Sequence, residues 1–357
     1  MIRRVVFAGG GTGGHLFPGL AVAEALEEAF PGIEVTFVGT ERGIEATAVP
    51  KTGRRLELLP VRPLKGQGAL GVLAGLFALP RAILSARALL ARLDPEVVVG
   101  LGGYAAGPVV LAARLAGRPT AVLEQNALPG FTNRTLARWV RRAYVTFPES
   151  VAHFPEGVAK VVGNPVRAAF RGTDVAPVDP PEVLVLGGSQ GARTLNRVVP
   201  EALAILAAEG IRPRALHQTG KADLESVTAR IRELGLDVEA AAFVDDVASA
   251  YRRASLVVCR AGATTIAEVC AVGRPSILVP FPFAADDHQT KNALALEAAG
   301  AAAYIADRDL TAERLAASLR ELLGDAGRRD RMSAAARARA RPEAARQIAL
   351  DLPSLMR

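Results

Sequence analysis

Three short apolar runs each break into a glycine-rich turn and then into a helix-like stretch. Val5-Val6-Phe7-Ala8 leads into Gly9-Gly10-Gly11-Thr12-Gly13-Gly14-His15, Val97-Val98-Val99 into Gly100-Leu101-Gly102-Gly103-Tyr104, and Val183-Leu184-Val185-Leu186 into Gly187-Gly188-Ser189-Gln190-Gly191. A strand that ends in glycines and opens a helix leaves bare backbone N–H groups at the positive end of a helix dipole, which is a ready anion site. Two such turns lie in the first third of the chain and one opens its second half. The pattern predicts two α/β domains facing a central cleft that handles a phosphorylated ligand.

The rest of the chain agrees with that architecture. Aliphatic runs at 33–39, 96–99, 120–123, 161–162, 183–186, 214–217, 256–259 and 276–279 alternate with helical patterns at 20–29, 81–93, 196–209 and 224–234. Alternation at this spacing gives parallel sheets with helices on both faces. At 357 residues, 50% of them apolar and 22% charged, the chain is long enough for two packed domains. The segment 172–182 carries three prolines and ends at a new strand, which makes it the expected linker. A last helix follows Pro342, where a kink is expected.

The formal net charge is +7. Such an excess serves nucleic acid, an anionic membrane or a phosphorylated substrate. Nucleic acid is the weakest of these, because aromatics are only 5% and no nucleic-acid motif is present. Cys259 and Cys270 have neither CxxC spacing nor a histidine cluster, and read as small buried thiols of a reducing compartment. The start of the chain lacks the apolar core and cleavage site of a signal peptide, and no apolar run reaches spanning length. A cytoplasmic location is expected.

Several motifs carry candidate chemistry. Gly9-x-Gly11-x-x-Gly14, with Glu41 after the next strand, formally matches the dinucleotide fingerprint, so an NAD(P)-dependent dehydrogenase is one reading. His15 and Pro18 depart from the small apolar residues that usually continue that fingerprint, and His15 would bring a titratable imidazole to the turn. The Gly187–Gly191 turn lacks the Lys-Ser/Thr of a P-loop and is the cleanest phosphate site. Arg167, in Gly163-Asn164-Pro165-Val166-Arg167, offers a planar fork suited to a diphosphate. Glu268, in the helix opened by Gly262, is placed to accept from two ribose hydroxyls or simply to complement the helix dipole. Glu124-Gln125-Asn126 lies at the carboxyl end of a strand, where α/β proteins bind ligands. Asp245-Asp246 and Asp286-Asp287-His288 read as helix caps, so no metal site is expected. His153 and His217 are expected to be structural, although His217 ends a strand that borders the cleft.

The segment 63–92 is different in character. Leu73, Leu76, Phe77 and Leu84 are interleaved with Lys65, Arg81, Arg87 and Arg92. Apolar side chains ringed by basic ones suit either an ordinary core helix or peripheral docking on anionic lipid.

Taken in order along nearly the whole chain, these motifs resemble the undecaprenyldiphospho-muramoylpentapeptide β-N-acetylglucosaminyltransferases of bacterial peptidoglycan synthesis. The matching elements are Gly10 to His15, Gly102-Gly103-Tyr104 with Gly107-Pro108, Glu124-Gln125-Asn126, Gly163 to Arg167, Gly187 to Gly191, Arg260 to Glu268, and His288-Gln289 with Asn292-Ala293. The resemblance implies a GT-B fold of two Rossmann-like domains. An acceptor and membrane-facing domain would span 1–164 plus a C-terminal helix at about 341–357, and a donor domain would span 165–340. It implies inverting transfer of N-acetylglucosamine from UDP-N-acetylglucosamine to the C4 hydroxyl of the muramoyl sugar of lipid I, forming lipid II at the cytoplasmic face of the plasma membrane, without a cofactor.

The family pattern assigns the donor to Thr12, Gly13, Gly14, Asn126, Arg167, Ser189, Val244, Ala263, Thr264, Thr265, Ile266, Ala267, Glu268 and Gln289. Val244 would meet the uracil, Glu268 the ribose, and Gln289 with Asn126 the sugar hydroxyls. Gly11, His15, Gly102, Gly103 and Tyr104 would form the acceptor diphosphate loops. His15 is the expected base, with Glu124 the second choice. Leu73, Leu76, Phe77, Lys65 and Arg81 would form the membrane patch. Leu123 stands where the family often has a histidine. A non-catalytic protein that only binds UDP-sugars is the remaining alternative.

Overall fold

The computed structural model describes residues 2–60, 68–170, 180–188, 191–284 and 287–356, with backbone alone for 68–78. The chain divides into two compact units, Met1–Ala168 with Arg341–Arg357, and Ala169–Ala340. The sequence reading put the crossing at 164/165. The first unit keeps four more residues because Arg167 stacks its guanidinium 5.0 Å over the Phe17 ring and Ala168 N donates to Glu24 Oε2 at 3.2 Å. The expected linker at 172–182 lies mostly outside the described residues.

In the first unit seven strands form one parallel sheet: β1 (Arg4–Gly9), β2 (Glu34–Gly39), β3 (Arg55–Leu58), β4 (Val97–Gly102), β5 (Thr120–Glu124), β6 (Arg142–Val145) and β7 (Ala159–Val161). Their order is β3-β2-β1-β4-β5-β6-β7. Both faces are covered, as a parallel sheet requires. Along β1, Val5 and Phe7 join one apolar cluster while Val6 and Ala8 join another. The C-terminal helix Ala344–Asp351 packs on this unit through Ala345, Ile348 and Ala349. Its Asp351 accepts from Tyr144 Oη at 2.8 Å and Lys160 Nζ at 3.0 Å. Pro342 falls between that helix and Ala326–Arg339, so the expected kink is a full break.

The second unit has six parallel strands, β8 (Glu182–Leu186), β9 (Arg214–Gln218), β10 (Val238–Ala241), β11 (Leu256–Cys259), β12 (Ser276–Leu278) and β13 (Ala303–Tyr304). Their order is β10-β9-β8-β11-β12-β13. In each sheet the order reverses beside the first strand, between β1 and β4 and between β8 and β11. Open α/β sheets bind ligands at the carboxyl ends of such strands. All three glycine turns of the sequence lie there.

Candidate active site

In the first unit the turns after β1 and β4 touch each other. Gly9, Gly10, Gly11, Gly102 and Gly103 all have positive φ, from 77° to 135°. Gly10 N donates to Gly102 O at 3.2 Å, and a Cβ on Gly103 would lie 2.5 Å from Gly10 O. These glycines are needed so that two backbones can meet. The helix Gly13–Ala29 starts at once, and His15 in its first turn lies across Gly102. A Cβ there would fall 2.7 Å from the imidazole Cδ2 and 3.1 Å from Nε2. Thr12 Oγ1 lies 3.0 Å from His15 Nδ1 and fixes the ring from the other side. Tyr104, after the second turn, is 44% exposed.

The amide of Gly11 is already committed. It donates to Glu45 Oε2 at 2.7 Å, and that carboxylate is 1% exposed. This changes the expectation for Gly11 as part of a diphosphate loop. A diphosphate held by that N–H would sit roughly 5 Å from a buried negative charge, a repulsion of about 3 kcal/mol at an effective dielectric of 20. The same contact counts against a dinucleotide pyrophosphate there. Glu41, the ribose-binding carboxylate that the fingerprint would require, is exposed.

Glu124 closes β5, and its two oxygens accept four N–H donors. Asn126 N at 2.9 Å and Asn126 Nδ2 at 3.2 Å reach Oε1, and Gly130 N at 3.0 Å and Asn133 Nδ2 at 2.9 Å reach Oε2. A carboxylate has about four lone-pair sites, so Glu124 has no open one with which to take a proton. The geometry makes it the group that holds Asn126, not a base. Ser150 Oγ also donates to Asn126 O at 2.9 Å. Leu123 is buried in the core, so this position carries no chemistry here.

Thr12, Gly13, Gly14, Asn126 and Arg167 thus lie on the first unit, whereas Val244, Ala263 to Glu268 and Gln289 lie on the second. Ser189 lies outside the described residues, as do Lys65 and the side chains of Leu73, Leu76 and Phe77. Arg81 is exposed on the helix Gly68–Leu93.

In the second unit β8 enters the turn at Gly187, with Gly188 and Gly191 at φ 86° and 77°, and the helix Arg193–Ala208 follows. Gln218, buried at the end of β9, ties this turn to its neighbour. Its Nε2 donates to Gly188 O at 2.9 Å, and its Oε1 accepts from Val244 N at 3.0 Å. Val244 therefore has only its carbonyl to offer a uracil N3–H. The sequence reading missed Gln218, although it lies beside the flagged His217. Gly262 caps the helix Ala263–Val272, which carries Glu268 at 9% exposure. Gln289, on the helix His288–Ala298, accepts from Phe281 N at 3.0 Å, and its Nε2 lies 4.0 Å from where a Cβ on Gly262 would be. Arg260 is used structurally: its Nη1 reaches Asp307 Oδ1 at 2.5 Å and Pro280 O at 3.0 Å. Asp246 caps the helix Val247–Arg253 through Ser249 N at 3.0 Å, as expected of the aspartate pair. Burial, and then the Glu268 charge, push the Cys259 thiol well above its usual range, and burial pushes Cys270 up to about 11. Both are inert buried thiols.

Two parallel-sheet units, each with a glycine turn at its switch point and one with a seated imidazole, have the architecture of GT-B enzymes that act on nucleotide sugars. Residues 5–145 match the glycosyltransferase family 28 N-terminal domain and 182–348 the family's C-terminal domain, and the chain belongs to that family. Among relatives, it is 51% identical over 98% of its length, and 92% of the relative's, to the UDP-N-acetylglucosamine–N-acetylmuramyl-(pentapeptide) pyrophosphoryl-undecaprenol N-acetylglucosamine transferase of Myxococcus xanthus. The transferase of the same name from Sorangium cellulosum is 48% identical, covering 99% of this chain and 88% of that one. The crystal structure of Acinetobacter baumannii MurG is 33% identical, with a TM-score of 0.76 and 99% of each chain covered.

Proposed function

We infer that this enzyme transfers N-acetylglucosamine from UDP-N-acetylglucosamine to the C4 hydroxyl of the muramoyl sugar of lipid I, undecaprenyl-pyrophosphoryl-muramoylpentapeptide, and so forms lipid II. The carrying observation is near-half identity, over almost the whole chain, to relatives named for that transfer. The dehydrogenase alternative is not favoured, since the Gly11 amide is taken by Glu45.

In the proposed mechanism the C4 hydroxyl attacks the anomeric carbon, UDP leaves from the opposite face, and the configuration inverts. His15 takes the hydroxyl proton at Nε2, with Nδ1–H donating to Thr12 Oγ1; this is the tautomer that leaves Nε2 basic. Charge grows on the departing diphosphate. The N-terminus of the helix Arg193–Ala208, with Ser189, and the Arg167 guanidinium would stabilise it. Glu268 would hold the ribose, the Val244 carbonyl the uracil, and Asn126 Oδ1 with Gln289 the sugar hydroxyls. The second unit is thus assigned to the donor and the first to the acceptor. A radiolabelled transfer assay with a short-chain lipid I analogue tests the reading. Binding of UDP-N-acetylglucosamine without label transfer would favour the non-catalytic alternative.

We also propose that the first unit docks peripherally on the anionic cytoplasmic face of the plasma membrane. No helix among the described residues is long and apolar enough to cross a membrane. Leu84 is 65% exposed, with exposed Arg81 and Arg87 one helical turn to either side. Apolar and basic side chains so arranged add insertion to charge attraction. In co-sedimentation with anionic vesicles, Arg81→Glu with Arg87→Glu is expected to weaken binding by roughly 10-fold or more, at about 1 kcal/mol per cation removed. Unchanged binding would remove this face from the role.

A further inference from the structure

Glu45 is no part of the chemistry assigned above, yet it is built into the turn that carries His15. It opens the short helix Glu45–Lys51 and turns its carboxylate back toward the carboxyl ends of β1 and β2. There it accepts from Gly11 N at 2.7 Å, Thr40 N at 2.9 Å and Thr40 Oγ1 at 3.1 Å. Three glycines make room for it. A Cβ on Gly10 would lie 2.6 Å from Oε2, and Cβ atoms on Gly39 and Gly43 would fall on the same side chain. Neither Gly39 nor Gly43 has a positive φ, so the carboxylate, not the backbone, requires glycine at those two positions.

A carboxylate is costly to bury unless donors converge on it. Here the converging donors join two separate segments. Gly11 needs such an anchor. It sits at φ 83° with open space where its Cβ would be, and its amide bond to Glu45 ties it to the segment that carries Thr40. Thr12, the next residue, orients His15.

We propose that Glu45 is the positioning residue of the His15 turn, an internal anion that orders Gly11 to His15 before any substrate arrives. It also removes the Gly11 amide from the groups a substrate diphosphate can use. The proposal rests on the transfer reading for its kinetic consequences and on the geometry alone for the ordering of the turn.

The test compares wild type, Glu45→Ala and Glu45→Gln as full-length protein, in sodium acetate and in sodium chloride at equal ionic strength. Glutamine keeps the volume but turns an NH₂ toward one of its two partners, so it cannot accept from both Gly11 and Thr40. Both variants are expected to lose about 100-fold in kcat, the scale of a small misplacement of a catalytic group, with KM for UDP-N-acetylglucosamine within about twofold. Acetate, but not chloride, should restore roughly 10-fold to Glu45→Ala by filling the vacated site, and should do nothing for Glu45→Gln. A general loss of packing would not give that rescue. Amide hydrogen exchange at residues 10–15 should accelerate in Glu45→Gln, and this reads the turn whether or not wild type transfers sugar. If Glu45→Ala does not fold, Glu45→Gln decides by kcat and exchange. Wild-type kcat in a folded variant, a loss untouched by acetate in Glu45→Ala, or unchanged exchange in Glu45→Gln would overturn the proposal. Accelerated exchange with a wild-type protein that transfers nothing would uphold it and count against the transfer reading instead.

Discussion

His15→Ala is expected to lower kcat by roughly 10²- to 10⁴-fold, the range a positioned general base supplies, while donor affinity stays near that of wild type. A sugar hydroxyl is a poor nucleophile until its proton leaves in the transition state. An imidazole, with an ordinary pKa near 6.5, is suited to accept that proton near neutral pH. The structure supplies the two requirements beyond residue type. Thr12 Oγ1 holds Nδ1 at 3.0 Å, and the ring lies against a position where only glycine leaves it room. Glu124 cannot take over, because four N–H donors already occupy its carboxylate. Steady-state kinetics with a lipid I analogue, alongside calorimetric titration of UDP-N-acetylglucosamine, separates the roles. A kcat loss with donor Kd intact fits a base. An equal loss in both would make His15 a donor-site group, and near-normal turnover would remove it from the chemistry.

The parts of this fold that were legible in the sequence are those whose physics is local. β1, β4, β5, β8 and β11 lie inside their sheets, are buried on both faces, and read as aliphatic runs. The edge strands β3 and β10 pair on one side only and are half-buried, and Arg55 and Glu57 in the first and Glu239 in the second break the apolar run, while β13 is only two residues long. The first helix begins at Gly13, not near Leu20 as its apolar pattern indicates, since glycines have poor helix propensity and the register there is set by the turn. Pro80 lies inside the helix Gly68–Leu93, which begins well before the helical pattern at 81–93.

The site divides in the same way. His15, Asn126 and Glu268 drew notice as candidates because each follows a glycine turn or a strand end, whereas Gln289, inside the helix His288–Ala298, entered only through the family resemblance. Glu45 and Gln218 were not, because each acts on a turn 34 or 30 residues away in sequence. Only a faint sign existed for Glu45: glycines at 39 and 43 that no turn type demands. For Glu124 the sequence showed only its place at a strand end, and nothing in it told that Gly130 and Asn133 would fold back onto the carboxylate.

The second large effect concerns His217, and its expected form is a loss of stability in mild acid that His217→Leu abolishes. His217 sits on β9, fully buried, and neither ring nitrogen has a hydrogen-bond partner among the described residues. Burial alone pushes its pKa from 6.5 down to about 4. The unfolded chain therefore takes up a proton near pH 6.5 that the folded chain refuses until about pH 4. Between those values the unfolded state binds more protons, so stability rises with pH; it is complete above about 6.5 and progressively lost below. The shift corresponds to about 3 kcal/mol across the window. Leucine has similar bulk and leaves no polar atom unpaired, so His217→Leu should be at least as stable as wild type at pH 7.5. Urea unfolding at pH 7.5, 5.5 and 4.5 checks this. Parallel pH profiles for the two proteins would mean that the imidazole is not the proton-linked group. The alternation of β9 explains why the strand carries both residues. Successive side chains point to opposite faces, so His217 lies in the core, off the site border the sequence allowed it, while Gln218 reaches Gly188 and Val244. Functional loss should follow substitution of Gln218, whereas His217→Leu should leave donor binding unchanged.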